Sequence, residues 1–306
     1  KGVTNSEGGG ANAGRTIVAL ATSHGFSGAY STSGYSISAS VIAGQGDGME
    51  RDYAYDSARF LEDLQSPDTI GREAGERAVS RLNPVQFQSG AMPVVYDPRV
   101  GNSLLGHFVG AISGAAIARK TSFLLDALDT EVFDSAISII DCPHRKRGLR
   151  SKAFDGEGLP TAKTKLIDQG RLTQWIMESA SARQLGLQPT GHASRGVGGA
   201  PGVSVTNLHM GNGSVSKTDL IRDIKHGVYI TELIGMGVNQ VTGDYSRGAS
   251  GFLITDGEIG PPVSEITIAG NLKDMFKSLV AADDLEYRYS INVPTLRADS
   301  MTVAGG

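Results

Sequence analysis

The chain has 306 residues, with 28 Lys and Arg against 32 Asp and Glu, a net charge of −4. An apolar fraction of 40% with so little charge excludes a disordered chain, and without a basic excess there is no electrostatic footprint for nucleic acid. The single cysteine, Cys142, cannot close an internal disulfide, so a reducing cytoplasm is expected; no apolar run is long enough to span a bilayer.

The segment Lys1–Arg15 is polar and glycine-rich, unlike a signal peptide. Opening on Lys1 rather than Met reads as a fragment or processed product with an upstream domain missing. Arg15–Ala21 and Tyr35–Ala43 read as strands joined through Ser23–Gly28. Tyr35, Ile37 and Ala39 alternate with serines, as in a sheet with one wet face. Two helices are predicted next. The first is Tyr55–Gln65. The second starts at Ser66-Pro67, repeats Ile70, Ala74, Ala78 and Leu82, and stops at Asn83-Pro84. That proline break divides the chain into domains 1–84 and 85–306.

Pro93–Tyr96 reads as a short strand and Arg99–Arg119 as one helix, with Leu104, Leu105, Phe108 and Ile112 on its bulky face. Gly106, Gly110 and Gly114 recur every fourth residue, a groove for close packing inside the core. Ala136–Asp141 is a strand. Thr164–Ile167 and Arg171–Met177 form a hairpin across the three-residue loop Asp168-Gln169-Gly170. Ser179–Gly186 is a helix with a glycine stop, and Gly191–Ser214 is a long glycine-rich loop. Ser216–His226 is a helix capped by Ser216 and stopped by Gly227. Val228–Ile234, Phe252–Thr255 and Glu265–Ile268 are strands, with Asp256-Gly257 as a turn, and Asn271 caps a last helix carrying Leu272, Met275, Phe276 and Leu279. Strands joined by short turns, with few helices between, predict an α+β fold with largely antiparallel sheets.

Several chemistries are absent. There is no Gly-Lys for a phosphate-binding loop, no Gly-x-Gly-x-x-Gly for a dinucleotide, and no Gly-x-Ser-x-Gly elbow. No histidine is followed by Glu, so a His-Glu zinc motif cannot start. Asp141-Cys142-Pro143-His144 offers two or three metal ligands but no complete set; a strand end running into a basic turn accounts for it better. His192 stands at the entrance of the glycine loop, as a general base or as a loop anchor. Asp244, Tyr245, Ser246 and Arg247 lie between Gly243 and Gly248. They read either as a turn closed by an Asp244–Arg247 ion pair or as a site gripping a peptide backbone or carboxylate.

The stretches TELIGMGVNQVTGDYSRGASGF, ITIAGNL and ARKTSFLLD resemble the TldD/PmbA family, once called modulators of DNA gyrase, within it the PmbA (TldE) branch. The resemblance covers nearly the whole chain and makes residues 1–84 central-like and 85–306 C-terminal-like, with the family's N-terminal domain missing. It implies a cytoplasmic two-subunit metalloprotease acting on extended or unfolded peptides. In the TldD subunit, zinc sits on a helix bearing His-Glu-x-x-x-His, with a further cysteine ligand near the C-terminus. The corresponding helix here has Gly106 and Ala111 where the two histidines stand, and His107 where the glutamate stands. Cys142 does not match the sister's cysteine.

Glycine and alanine have no lone pair for a metal, so the expectation is a chain with no catalytic residue and no cofactor of its own. Zinc then comes from a TldD-like partner, and peptide is bound through Asp244, Tyr245, Ser246, Arg247 and His192. Two alternatives stand beside it. One is a homodimeric metallopeptidase with a site drawn from His107, His144, His192 or His209. The other is a regulatory binding protein of a gyrase-related pathway, without direct DNA contact.

Overall fold

The computed structural model describes residues 1–305. Strands β1 (Val3–Ala21) and β2 (Ser27–Ala43) form a long antiparallel hairpin, and β3 (Glu50–Ala58) adds to β2. Both hairpin strands begin well before the segments read from sequence, because the glycines and serines of 3–14 continue the ladder. The sheet order β1-β2-β3 leaves the outer edge of β1 unpaired among the described residues. Helix α1 (Pro67–Ser80) covers this sheet with Ile70, Ala74 and Ala78. Its start is as expected: the Ser66 hydroxyl accepts the Thr69 N–H at 3.2 Å.

The helix expected over Tyr55–Gln65 is not formed. Strand β3 runs to Ala58, and only a single 3-10 turn follows at Leu61–Asp63. Asp52, Ala54 and Ala58 point inward. Tyr53 and Tyr55 stack outside, their ring centroids 6.2 Å apart. This period of two is a strand's.

Strand β4 (Gly90–Tyr96) leads into α2 (Pro98–Ala111) and α3 (Gly114–Ala118). These replace the one helix expected over Arg99–Arg119. The break has a backbone cause: the Ile176 N–H donates to Ile112 O at 3.1 Å, and the Gly114 N–H donates to Ile176 O at 2.8 Å. The chain thus inserts a peptide unit between the two helices. Next come β5 (Ile139–Asp141), β6 (Thr164–Asp168), β7 (Arg171–Leu172) and α4 (Ser179–Leu185). The β6–β7 turn has two residues, not three: Gln169 and Gly170 both lie in the left-handed region, at φ 49 and 81.

The glycine-rich segment 191–214 is not wholly a loop. It holds β8 (Ala193–Ser194), β9 (Gly202–Val203) and the buried β10 (Leu208–Met210). Helix α5 (Lys217–Arg222) ends at Asp223, short of the expected Gly227, because β11 (His226–Ile234) already begins there. Then follow β12 (Asp244–Thr255), β13 (Glu258–Asn271), α6 (Leu272–Ser278), β14 (Val280–Ala281), β15 (Ile291–Asn292) and β16 (Leu296–Gly305). The fold is α+β, as expected, with pairings mostly antiparallel.

Strands β13, β12, β11, β4 and β16 pair in that order, and β16 returns to β13. The sheet therefore closes on itself, which removes its free edges. A smaller sheet, β15-β10-β5-β6-β7, packs beside it. The main core lies between the closed sheet, the smaller sheet and helices α2 and α6. Phe276 stacks on Phe133 at 4.4 Å and meets Phe108 edge-on at 6.3 Å. Leu104, Leu105, Phe108 and Ile112 are fully buried, as the sequence pattern predicted. Each such side chain contributes about 1.5–3 kcal/mol.

Candidate functional site

Helix α2 carries the positions that matter for metal chemistry. Asp97 caps it by accepting the Arg99 N–H at 3.0 Å, and Pro98 supplies the first turn. Ala111 is buried, and its carbonyl accepts the Ser122 hydroxyl at 2.7 Å. Gly106 is exposed, with open space where a Cβ would stand. Gly110 is likewise exposed and meets only the Gln240 side chain, at 3.5 Å. Of the three glycines expected to pack tightly in the core, only Gly114 does so, against Met177 and Ser181. The 106–110 face is turned outward because the core-facing side of α2 is already filled by its large residues.

His107 is half-buried, and its ring meets Tyr245 edge-on at 6.1 Å. Burial and then the Arg247 charge hold its pKa below the ordinary histidine value, so the ring is neutral at pH 7. Its Nε2 has no hydrogen-bond partner among the described residues, nor have Gln240 Oε1 and Tyr245 OH.

The stretch 244–247 is the first part of β12, not a glycine-flanked loop. Asp244 and Arg247 do not pair. The Asp244 carboxylate accepts the Thr242 hydroxyl at 2.6 Å and Asn271 Nδ2 at 3.0 Å, and these bonds hold its pKa low. Asn271 also caps α6 through the Lys273 N–H at 3.0 Å. Arg247 Nε donates to Ile234 O at 3.2 Å. Alternation along the strand puts Asp244 and Ser246 outside and Tyr245 inside, only 1% exposed. Burial pushes the Tyr245 hydroxyl up to about 12.

A feature the motif reading missed covers this strand. Residues 235–241 fold back on it, and the Ser246 N–H donates to Gly237 O at 2.7 Å. A Cβ on Gly237 would lie 1.7 Å from Ser246 O, so glycine is required at 237. The same segment exposes Met236 and Val241.

His192 is buried. Its Nδ1 pairs with Thr190 Oγ1 at 2.9 Å, and its Nε2 lies 3.5 Å from Asp141 Oδ2. The other Asp141 oxygen accepts the Thr206 N–H at 2.9 Å and hydroxyl at 2.6 Å. His144 turns away to Thr161 Oγ1 at 3.1 Å. His209 Nδ1 faces Arg145 Nη2 at 3.0 Å, and burial followed by the Arg145 charge brings its pKa down to about 4. The four histidines weighed as metal ligands therefore go to four different sets of partners. Among the described residues no three His, Cys, Asp or Glu side chains converge on one point. The zinc that the family implies does not fit the α2 positions, since Gly106 and Ala111 offer no donor and His107 stands alone.

Charged residues with no recognisable motif join the β1-β2-β3 sheet to α2 and β11. Arg99 grips Asp52 with two bonds, at 2.8 and 3.0 Å. Arg81 reaches Glu50 at 3.2 Å and Glu232 at 2.6 Å. Burial raises the Asp52 carboxyl, but the Arg99 bonds and charge outweigh it and leave its pKa below the ordinary value. Sequence spacing gives no sign of this network, because its members are 47 and more residues apart, apart from the shorter Glu50–Arg81 span.

Comparison with known proteins places these features in a family. Residues 2–82 match the PmbA/TldA metallopeptidase central domain, and residues 89–305 match its C-terminal domain. The chain is 41% identical over 306 residues to a protein of Escherichia coli O157:H7 named Metalloprotease PmbA, covering 100% of this chain and 66% of that protein. It therefore spans just under two thirds of that relative's length. A crystal structure from Bacteroides thetaiotaomicron, described as a modulator of DNA gyrase, superposes with a TM-score of 0.89 at 29% identity, over 97% of this chain and 66% of that one. TldE from Thermococcus kodakarensis shares the fold, with a TM-score of 0.83 at 21% identity over 97% of this chain and 69% of that one.

Proposed function

This chain belongs to the PmbA/TldA metallopeptidase family, and from that premise we propose that it is a metal-free PmbA/TldE-like subunit of a two-subunit zinc protease. The observation that carries the reading is the donor set of α2: an exposed Gly106, a buried Ala111 and a His107 packed on Tyr245. A water-activating zinc needs three protein ligands and an open position, which these side chains do not supply. The zinc then resides in a TldD-like partner in the cytoplasm. Residues 1–84 and 85–306 act as the two domains of this subunit.

Its work is to complete the substrate channel and hold an extended peptide. The outer edge of β1 offers unpaired backbone groups to such a chain. Asp244 and Ser246 are the exposed groups of the 244–247 stretch, and Arg247 beside them is half-buried. Tyr245 is buried beneath that stretch, and His192 is buried against Thr190 and Asp141. No helix among the described residues is long and apolar enough to cross a bilayer.

The test is recovery of the native protein from its own cells with zinc measured on each separated subunit. The reading expects a zinc-bearing partner and peptide cleavage only by the pair. Recovery of a homodimer that holds zinc and cleaves peptides would replace it with the autonomous enzyme.

A further inference from the structure

A cavity of about 590 Å³ opens on the seam between the end of β3, in the β1-β2-β3 sheet, and the segment 145–149. Two arginines face it with donors to spare. Arg59 Nη1 donates to Ser33 O at 2.8 Å and Nε to Gly148 O at 3.3 Å, both backbone carbonyls. Arg145 lies flat on Tyr287, its Cζ 3.7 Å from the ring centroid, and one nitrogen meets the His209 ring. A guanidinium carries five N–H donors, so each arginine keeps several unused. Lys146, beside them, has neither an ion pair nor a side-chain hydrogen bond among the described residues. Nor does any carboxylate among the described residues pair with Arg59 or Arg145.

The carboxylates on the same walls are already engaged. Asp56 accepts the Ser57 and Gln65 N–H groups, each at 2.9 Å. Asp63 is held by Arg147 at 2.6 Å. The neutral His209 adds no charge to offset Arg145. Arginines fixed in this way without a counter-ion are pre-organised for carboxylate or phosphate oxygens.

The shape favours a long ligand over a compact one. The cavity shares Arg59 and Leu149 with a second of about 870 Å³ that runs between the β1–β2 hairpin and Lys152. The Lys152 ammonium has one contact, Ala193 O at 3.5 Å. The cations are thus strung along a groove instead of converging on one point. Nucleic acid fits less well. Arg145 already covers a face of Tyr287, and Arg147 lies over Phe60 at 4.2 Å, so these rings are poor platforms for bases.

We infer that this seam receives the acidic stretch of an extended peptide, whose carboxylates are bound by Arg59, Arg145 and Lys146. The inference rests on the peptide-holding reading above and narrows it to acidic substrates.

The experiment is fluorescence anisotropy with the full chain and a labelled extended peptide carrying four aspartates, against the same peptide with asparagines. The aspartate peptide should bind at least about tenfold tighter at low ionic strength, an advantage that shrinks as salt rises. Arg145→Gln should remove that advantage. Lys146→Gln, at an exposed side chain whose loss leaves the fold intact, should reduce it about two- to threefold. Equal binding of both peptides, or no effect of either substitution, overturns the inference and leaves the peptide-holding reading standing. If neither peptide binds, both fall. Single-stranded DNA of equal charge binding as tightly, or inorganic phosphate competing at equal concentration, would reassign the groove and overturn the inference as well.

Discussion

The closed sheet and the β1–β2–β3 ribbon solve the edge problem in opposite ways. In the closed sheet, β16 pairs with both β4 and β13, and its interior is filled by residues such as Tyr245, Ile268 and Met301. In the ribbon, β1 pairs on one side only, and nearly all of its residues are exposed. The first region has its strand edges paired and its apolar groups buried, so it carries the stability. The second keeps backbone donors and acceptors unused, which is the property expected of a surface that meets another chain.

The largest effect should come from the closed region's core. Phe276→Ala removes a ring that touches Phe108, Phe123 and Phe133, and should cost about 3–5 kcal/mol in urea denaturation. A loss below about 1 kcal/mol would mean that this core does not dominate. Next comes the joint between the regions. Asp52→Asn leaves Arg99 without its carboxylate and should cost about 3 kcal/mol. Parallel melting of a signal from the ribbon and one from the core would show whether the joint makes them one cooperative unit.

The same joint predicts an acid sensitivity. The Asp52 pKa is lowered in the folded state, so its contribution is complete above the unfolded value of about 4 and is lost as pH falls through the folded one. Thermal melts between pH 6 and pH 3 should show a fall that is smaller in Asp52→Asn. The smallest effect belongs to the ribbon. Ile17 is 70% exposed, so Ile17→Ser should change stability by no more than about 0.5 kcal/mol. A large loss there would break the contrast between the regions.

Much of the fold was legible in the sequence where its signals are local. The Ser66, Ser216 and Asn271 caps, the bulky face of α2 and the Asp256-Gly257 turn each lie within a few residues, and all are present. What escaped was long-range. Strand β3 looks helical until its pairing with β2 is known, and the α2–α3 break depends on Ile176, more than 60 residues downstream. The candidate site divides the same way. The bare positions 106 and 111 can be read directly. The Asp244–Arg247 ion pair looked plausible by spacing and failed, because a strand sends neighbours to opposite faces and Asn271 takes the carboxylate. The Arg59–Arg145 seam has no motif at all, since its cations come from distant segments.

The central claim is that this chain holds no zinc of its own and works beside one that does. Its most direct test is metal analysis of the purified chain after incubation with excess zinc and removal of unbound ion, with peptide cleavage followed before and after adding the partner. The account predicts far less than one zinc per chain, no cleavage alone, and cleavage on mixing. One tightly held zinc per isolated chain, with cleavage abolished by a chelator, would contradict it.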